Sequence, residues 1–289
     1  MLTKLISASA IASILLLSGC KSGGNDNPTQ NTAPVSDEVK TLAKSITLQG
    51  VFGDQLSSGK SNIQGRSLRD MQSFTQNCTN GGTMSIMNDF DPTMFDNDNF
   101  NFNNFTSTST MRFDNCIEDG AVVNGAIEMT TNFIENTMKI TMKYIEDLTF
   151  DDGKDKVKIL KDSYMIDEMK DDNTFITTET ITALFNDRQY KTKDLKSVMF
   201  FNNNNIGFYP LSGEEIIDGK TYRVDESYDA SKTPMIIDQN DDLLKGGKFK
   251  YLDEANHPVT LEATDKNEIT VSVDTDGDGQ ADQQEVIKL

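Results

Sequence analysis

The sequence predicts a mainly β protein: an antiparallel sandwich, barrel or curved sheet with one short N-terminal helix. Three observations carry that prediction. Apolar and polar residues alternate with period two in many stretches, which gives each strand one buried and one wet face. Those stretches are separated by Asn-Gly, Asp-Gly and Gly-Gly punctuation. At 289 residues and 36% hydrophobic, the chain is also long enough to bury a sizeable core in one β-rich body.

The first element is not part of that body. Residues 1–20 read MLTKLISASAIASILLLSGC, with Lys4 the one charge and an apolar run from Leu5 to Leu17. The run is shorter than the roughly 20 apolar residues of a membrane helix and has the pattern of an export leader. Its end, Leu17-Ser18-Gly19-Cys20, resembles the lipobox of bacterial lipoproteins. The resemblance implies that residues 1–19 are a signal peptide and that Cys20 becomes the acylated, palmitate-bearing first residue. Lys21 stands where an Asp marks inner-membrane retention in enteric lipoproteins, so the resemblance implies the outer membrane, facing the periplasm or the outside. One acyl chain binds a bilayer marginally and several bind it stably.

Residues 20–36 form a tether. Their Gly, Asn, Pro, Ser and Thr offer little to bury, and as a coil they span roughly 20–25 Å. The β-rich body is expected over 37–289. It opens with a helix over 37–48, because Ser36 can cap it, Val39, Leu42, Ala43 and Ile46 share one face, and Gly50 stops it. Strands are expected at 83–87, 109–114, 125–131, 138–144, 174–182, 248–251, 259–264 and 269–273. Turns are expected at Asn80-Gly81-Gly82, Asn124-Gly125, Asp152-Gly153, Asn202 to Asn205, Asp218-Gly219 and Gly246-Gly247. Residues 88–105, rich in Asn and Asp with interleaved Phe, read as an irregular loop pinned by its aromatics, with a binding surface as the other reading.

With Cys20 taken by lipid, Cys78 and Cys116 remain in an exported body, which points to a disulfide. It is worth about 4 kcal/mol in the chain-entropy model. Free thiols or a redox pair are the alternatives, but there is no CxxC spacing and no flanking base to activate a thiolate.

The one chemical motif is DTDGDGQADQQE, residues 274–285. Aspartates at alternate positions of a tight loop converge on one centre, and Ca²⁺ takes six to eight hard oxygens. Gly279 permits the sharp turn. The pattern resembles the EF-hand loop, whose first half is shared with thrombospondin type 3 repeats and dockerins. The resemblance implies side-chain ligation by Asp274, Asp276 and Asp278, a carbonyl from Gln280, a water-mediated contact from Asp282 and a bidentate Glu285. Here a strand precedes the loop and only four residues follow it, so a helical EF-hand is not expected. A metal-free acidic Asp-Gly turn is the other reading of the same residues.

Composition excludes much else. With 46 acidic against 27 basic residues the formal charge is -19, which repels nucleic-acid phosphates. A single histidine, His257, rules out a multi-His metal site and sits in a turn-like Asn-His-Pro. Gly59-Lys60-Ser61 lacks the earlier glycine of a phosphate loop, since Asp54 occupies that place. No G-x-S-x-G or H-E-x-x-H occurs. The sequence therefore points to a non-catalytic, calcium-stabilised binding or scaffold protein, held at the membrane by lipid and meeting an envelope protein or glycan. A carrier of an apolar ligand is the alternative, and a carboxylate-dependent hydrolase a further one.

Overall fold

The computed structural model describes residues 33–43 and 73–288, apart from 90–104, 119–120, 135–136, 154–155, 172, 203–204, 239–242 and 265–267. The leader, Cys20, nearly all of the tether, Gly59-Lys60-Ser61 and most of the 88–105 loop lie outside the described residues. The protein is mainly β, and every pairing between its strands is antiparallel. Helix α1 is described over 37–43; the rest of its expected span, 44–48, lies outside the described residues.

The strands run as an up-and-down meander. β1 (Ser73–Asn77) and β2 (Thr83–Asn88) form a hairpin across Asn80-Gly81-Gly82. The long β3 (Phe105–Glu118) and β4 (Ala121–Ile134) pair next. β5 (Thr137–Tyr144) and β6 (Leu148–Asp151) both run along β4, as two parts of one bent rib. β7 (Lys156–Ile159) with β8 (Tyr164–Asp171), and β9 (Thr174–Thr180) with β10 (Thr182–Phe185), repeat this arrangement. The two branches rejoin on β11 (Arg188–Asn202), which pairs with β12 (Asn205–Ile217). β13 (Lys220–Val224) and β14 (Met235–Asp238) both lie between β12 and β15 (Leu243–Leu252). β16 (Pro258–Thr264), β17 (Glu268–Val273) and β18 (Gln283–Lys288) complete the order.

All eighteen strands share one hydrogen-bonded sheet. Among the architectures the sequence left open, this one continuous antiparallel sheet is consistent with a sandwich or a curved sheet. Side chains from β2 near one edge and from β17 and β18 at the other belong to a single apolar cluster. Helix α1 contributes Val39, Leu42 and Ala43 to that cluster, so its apolar face packs on the core as expected. Arg188 reaches the Asp37 carbonyl and Thr41, and Lys220 pairs with Glu38 at 3.2 Å. These contacts seat α1 where β11 and β13 begin.

The disulfide Cys78–Cys116 is formed, with Cα atoms 5.4 Å apart. It ties the β1–β2 turn to the end of β3 and is itself buried. Two expected turns are not turns. Asn124-Gly125 lies inside β4, and Gly246-Gly247 inside β15. Gly125 has φ +124, and a Cβ there would stand 2.3 Å from the Asp147 carbonyl oxygen, where the β5–β6 rib bends. Gly247, at φ +129, lets the Pro234–Met235 backbone approach equally closely. Both glycines mark bulges that bend the sheet rather than reverse the chain.

Candidate metal centre

β17 and β18 are a hairpin, and the acidic loop is its connection. Ladder pairing runs to Val273↔Gln283, so residues 274–282 are held at both ends by strand backbone. The Asp282 N–H donates to the Val273 carbonyl at 2.9 Å, and the Asp274 N–H donates to the Pro258 carbonyl at 3.1 Å. This strand–loop–strand context replaces the two helices of an EF-hand.

Within the loop, carboxylates are aimed by backbone amides. Asp274 accepts from Gly277 N–H at 2.7 Å and from Gly279 N–H at 2.9 Å. Asp276 accepts from Asp278 N–H at 3.1 Å. Asp282 accepts from Thr275 N–H at 2.7 Å and from its hydroxyl. Those two bonds, led by the hydroxyl, hold the Asp282 carboxyl below the usual carboxylate range. Gly277 and Gly279 take φ of 77° and 86°, which opens the left-handed turns the loop needs.

The structure brings three of the five expected carboxylates together. One oxygen each from Asp274, Asp276 and Asp282 lies within 4.8 Å of the others. Two oxygens bound at 2.3–2.6 Å to one Ca²⁺ stand at most about 5 Å apart, so this spread fits a single ion. Each carboxylate, with about four acceptor sites, retains capacity beyond the hydrogen bonds it accepts, and an all-oxygen donor set suits a hard cation. Asp278 lies outside the group and accepts from Gln280 N–H and Nε2. Glu285 lies on β18 opposite Val271, and its Oε1 is 3.0 Å from Lys40 Nζ. Among the described residues Glu285 Oε2 is a buried side-chain oxygen with no hydrogen-bond partner. His257 remains in the β15–β16 turn, with Nδ1 3.0 Å from Asp253.

A second polar assembly escaped the sequence reading. Asp167, Glu179 and Glu215 lie on the buried side of the sheet and are 3%, 6% and 0% exposed. Glu215 accepts from the Tyr190 hydroxyl at 3.0 Å and the Tyr251 hydroxyl at 2.7 Å. Asp167 accepts from the Thr177 hydroxyl at 2.6 Å, and Glu179 is hydrogen-bonded to Thr192. Burial pushes Asp167 up to about 6. Burial, then the charges of Glu215 and Asp167, pushes Glu179 up to about 8. Burial likewise raises Tyr144, Tyr190 and Tyr251. Asp167 occupies an inner-face position between two methionines, in Met165-x-Asp167-x-Met169. That in-phase charge was the available signal.

No protein-family model matches the chain, and comparisons with curated proteins and with solved structures find no match.

Proposed function

We propose that this protein is a lipid-anchored, non-catalytic binding or scaffold protein of the bacterial cell envelope, stabilised by calcium at its C-terminal hairpin. The observation that carries the calcium reading is the convergence of Asp274, Asp276 and Asp282 within 4.8 Å on a loop pinned by strand backbone. The anchor reading rests on Leu17-Ser18-Gly19-Cys20. Calcium here neutralises clustered carboxylates and orders the β17–β18 connection; a lone loop binds with Kd on the order of 10⁻⁴–10⁻³ M. The acidic surface, one unit more negative once residues 1–19 are removed, is repelled by anionic headgroups. Lipid therefore holds the protein at the bilayer while the body meets a protein or glycan partner.

Calcium calorimetry and terbium luminescence on the full chain in detergent test the site. Wild type binds and Asp276→Ala does not; wild type silent to several millimolar calcium refutes the reading. Palmitate labelling that persists in Cys20→Ser refutes the anchor. An apolar-ligand carrier is the second reading. It is favoured by a separate Met- and Phe-rich cluster around Met129, Met138, Ile140 and Phe175, distinct from the main core. Saturable uptake of a fluorescent fatty acid supports it, and no uptake discards it.

A further inference from the structure

The acidic hairpin loop also holds the N-terminal end of the described body. The Asp282 carbonyl accepts the Ala33 N–H at 3.2 Å, and the Ala33 carbonyl accepts the Gln284 N–H at 3.1 Å. This is a one-residue parallel bridge on the outer edge of β18. Pro34 follows, and a residue before proline favours the extended backbone that such a bridge needs. Val35 is then buried, and α1 lays Val39, Leu42 and Ala43 into the core. Lys40 of α1 pairs with Glu285 one rung further along β18. Residues 33–43 thus form a clasp: beside the Arg188 and Lys220 contacts that seat α1, a backbone rung at Asp282, an ion pair at Glu285 and an apolar plug attach it to the body.

We propose that cation loading of the 274–282 loop tightens this clasp, so that the segment leading to the membrane tether is held more firmly to the body when the ion is bound. The inference rests on reading the loop as a cation site. Asp282 is the shared part. Its carboxylate belongs to the converging group, while its carbonyl is the acceptor for Ala33. An ion that fixes the carboxylate restricts the backbone of the same residue, and the rung to Ala33 is then made against a fixed acceptor. A ligand shifts such an equilibrium only through differential affinity, and the coupling is reciprocal. Opening the clasp must therefore weaken ion binding by the factor by which the ion strengthens the clasp. The orphaned Oε2 of Glu285 lies at the same seam, so the seam has spare acceptor capacity next to Lys40.

The test uses the full-length chain in detergent, with calcium as the probe. Hydrogen exchange of residues 33–43 is followed with and without calcium, and calcium affinity is measured by calorimetry. Calcium is expected to slow exchange of the segment by about five-fold, the scale of one backbone hydrogen bond. Ala33→Pro, which removes the donated N–H, is expected to weaken calcium binding by the same factor. Lys40→Met cuts the second attachment without touching backbone or acidic loop, and moves affinity in the same direction. Calcium binding with unchanged exchange at 33–43, and with wild-type affinity in both variants, overturns the clasp while leaving the metal site standing. Absence of calcium binding to wild type overturns the site itself and the clasp coupling with it.

Discussion

Glu179→Gln is expected to abolish a pH dependence built into the core. In the wild type Glu179 is buried and ionises at about 8, against 4.5 for the free side chain. Its neighbours, Glu215, Asp167 and Tyr144, are acidic or phenolic, and no lysine or arginine is among the described buried residues. The folded pKa is raised, so the neutral acid stabilises the fold below the unfolded pKa, and this contribution is lost as pH rises through the folded one. Asp167 acts the same way, but only up to about 6. Exposed carboxylates are already ionised there, and Glu179 titrates across the interval from pH 6 to 8. Two pH units at 1.36 kcal/mol each amount to about 3 kcal/mol. For a body of this size that corresponds to roughly 5–10 °C in Tm. Circular-dichroism melts at pH 6.0 and 8.5 read it directly. The wild type loses those degrees and Glu179→Gln, which stays neutral, does not. A wild-type Tm that is flat across the interval, or a variant that falls in parallel, refutes the reasoning.

The remaining predictions concern the frame. Replacing Cys78 and Cys116 together by Ser removes the one disulfide described and is expected to lower stability by about 4 kcal/mol, seen as a lower urea midpoint. Gly247→Ala places a Cβ 2.4 Å from Met235 Cα at φ +129, whereas Gly246→Ala meets nothing within 4 Å. The first is expected to destabilise by at least 1–3 kcal/mol and the second by far less; equal melting points would remove the bulge argument. Leu42→Ala empties a fully buried position of α1 and costs about 2–5 kcal/mol in chemical denaturation, whereas a purely peripheral helix would lose under 1.

How far the sequence could be read follows from these same residues. Strands such as Met138–Tyr144 and Ile269–Val273 were visible because one face is apolar at every second residue, and the structure buries those positions. The long β11 and β12 were not, because a register shift between Lys193 and Lys196 interrupts the period in the middle of the pair. Exposed Lys193 and Asp194 there separate buried Thr192 from buried Leu195. Asn124-Gly125 carries hairpin chemistry, yet the chain passes straight through it. The positive φ of Gly125 serves a close crossing by Asp147 and Leu148, a long-range contact that no local pattern encodes.

The acidic loop was readable from spacing alone because its geometry is local. Asp274 is oriented by amides at 277 and 279, within the motif itself. Position 285 could not be read that way. As a loop terminus it is the bidentate ligand of the pattern, but as a strand residue its direction is set by pairing with Val271, which faces the core. Strand alternation decides where Glu285 points, and α1 supplies Lys40 to meet it. The buried acids follow the same logic. Hydropathy assigns a charged residue to the wet face, whereas Asp167 lies two residues from both Met165 and Met169 and so must share their face. Sheet geometry overrules hydropathy there: burial raises the Asp167 carboxyl to about 6, and the hydroxyl of Thr177, which donates to it, offsets part of the cost. An in-phase charge in an apolar alternation is thus a sign of a perturbed carboxyl; Glu179 on β9 lacks that sign, because Thr177, two residues before it on the same buried face, is itself polar.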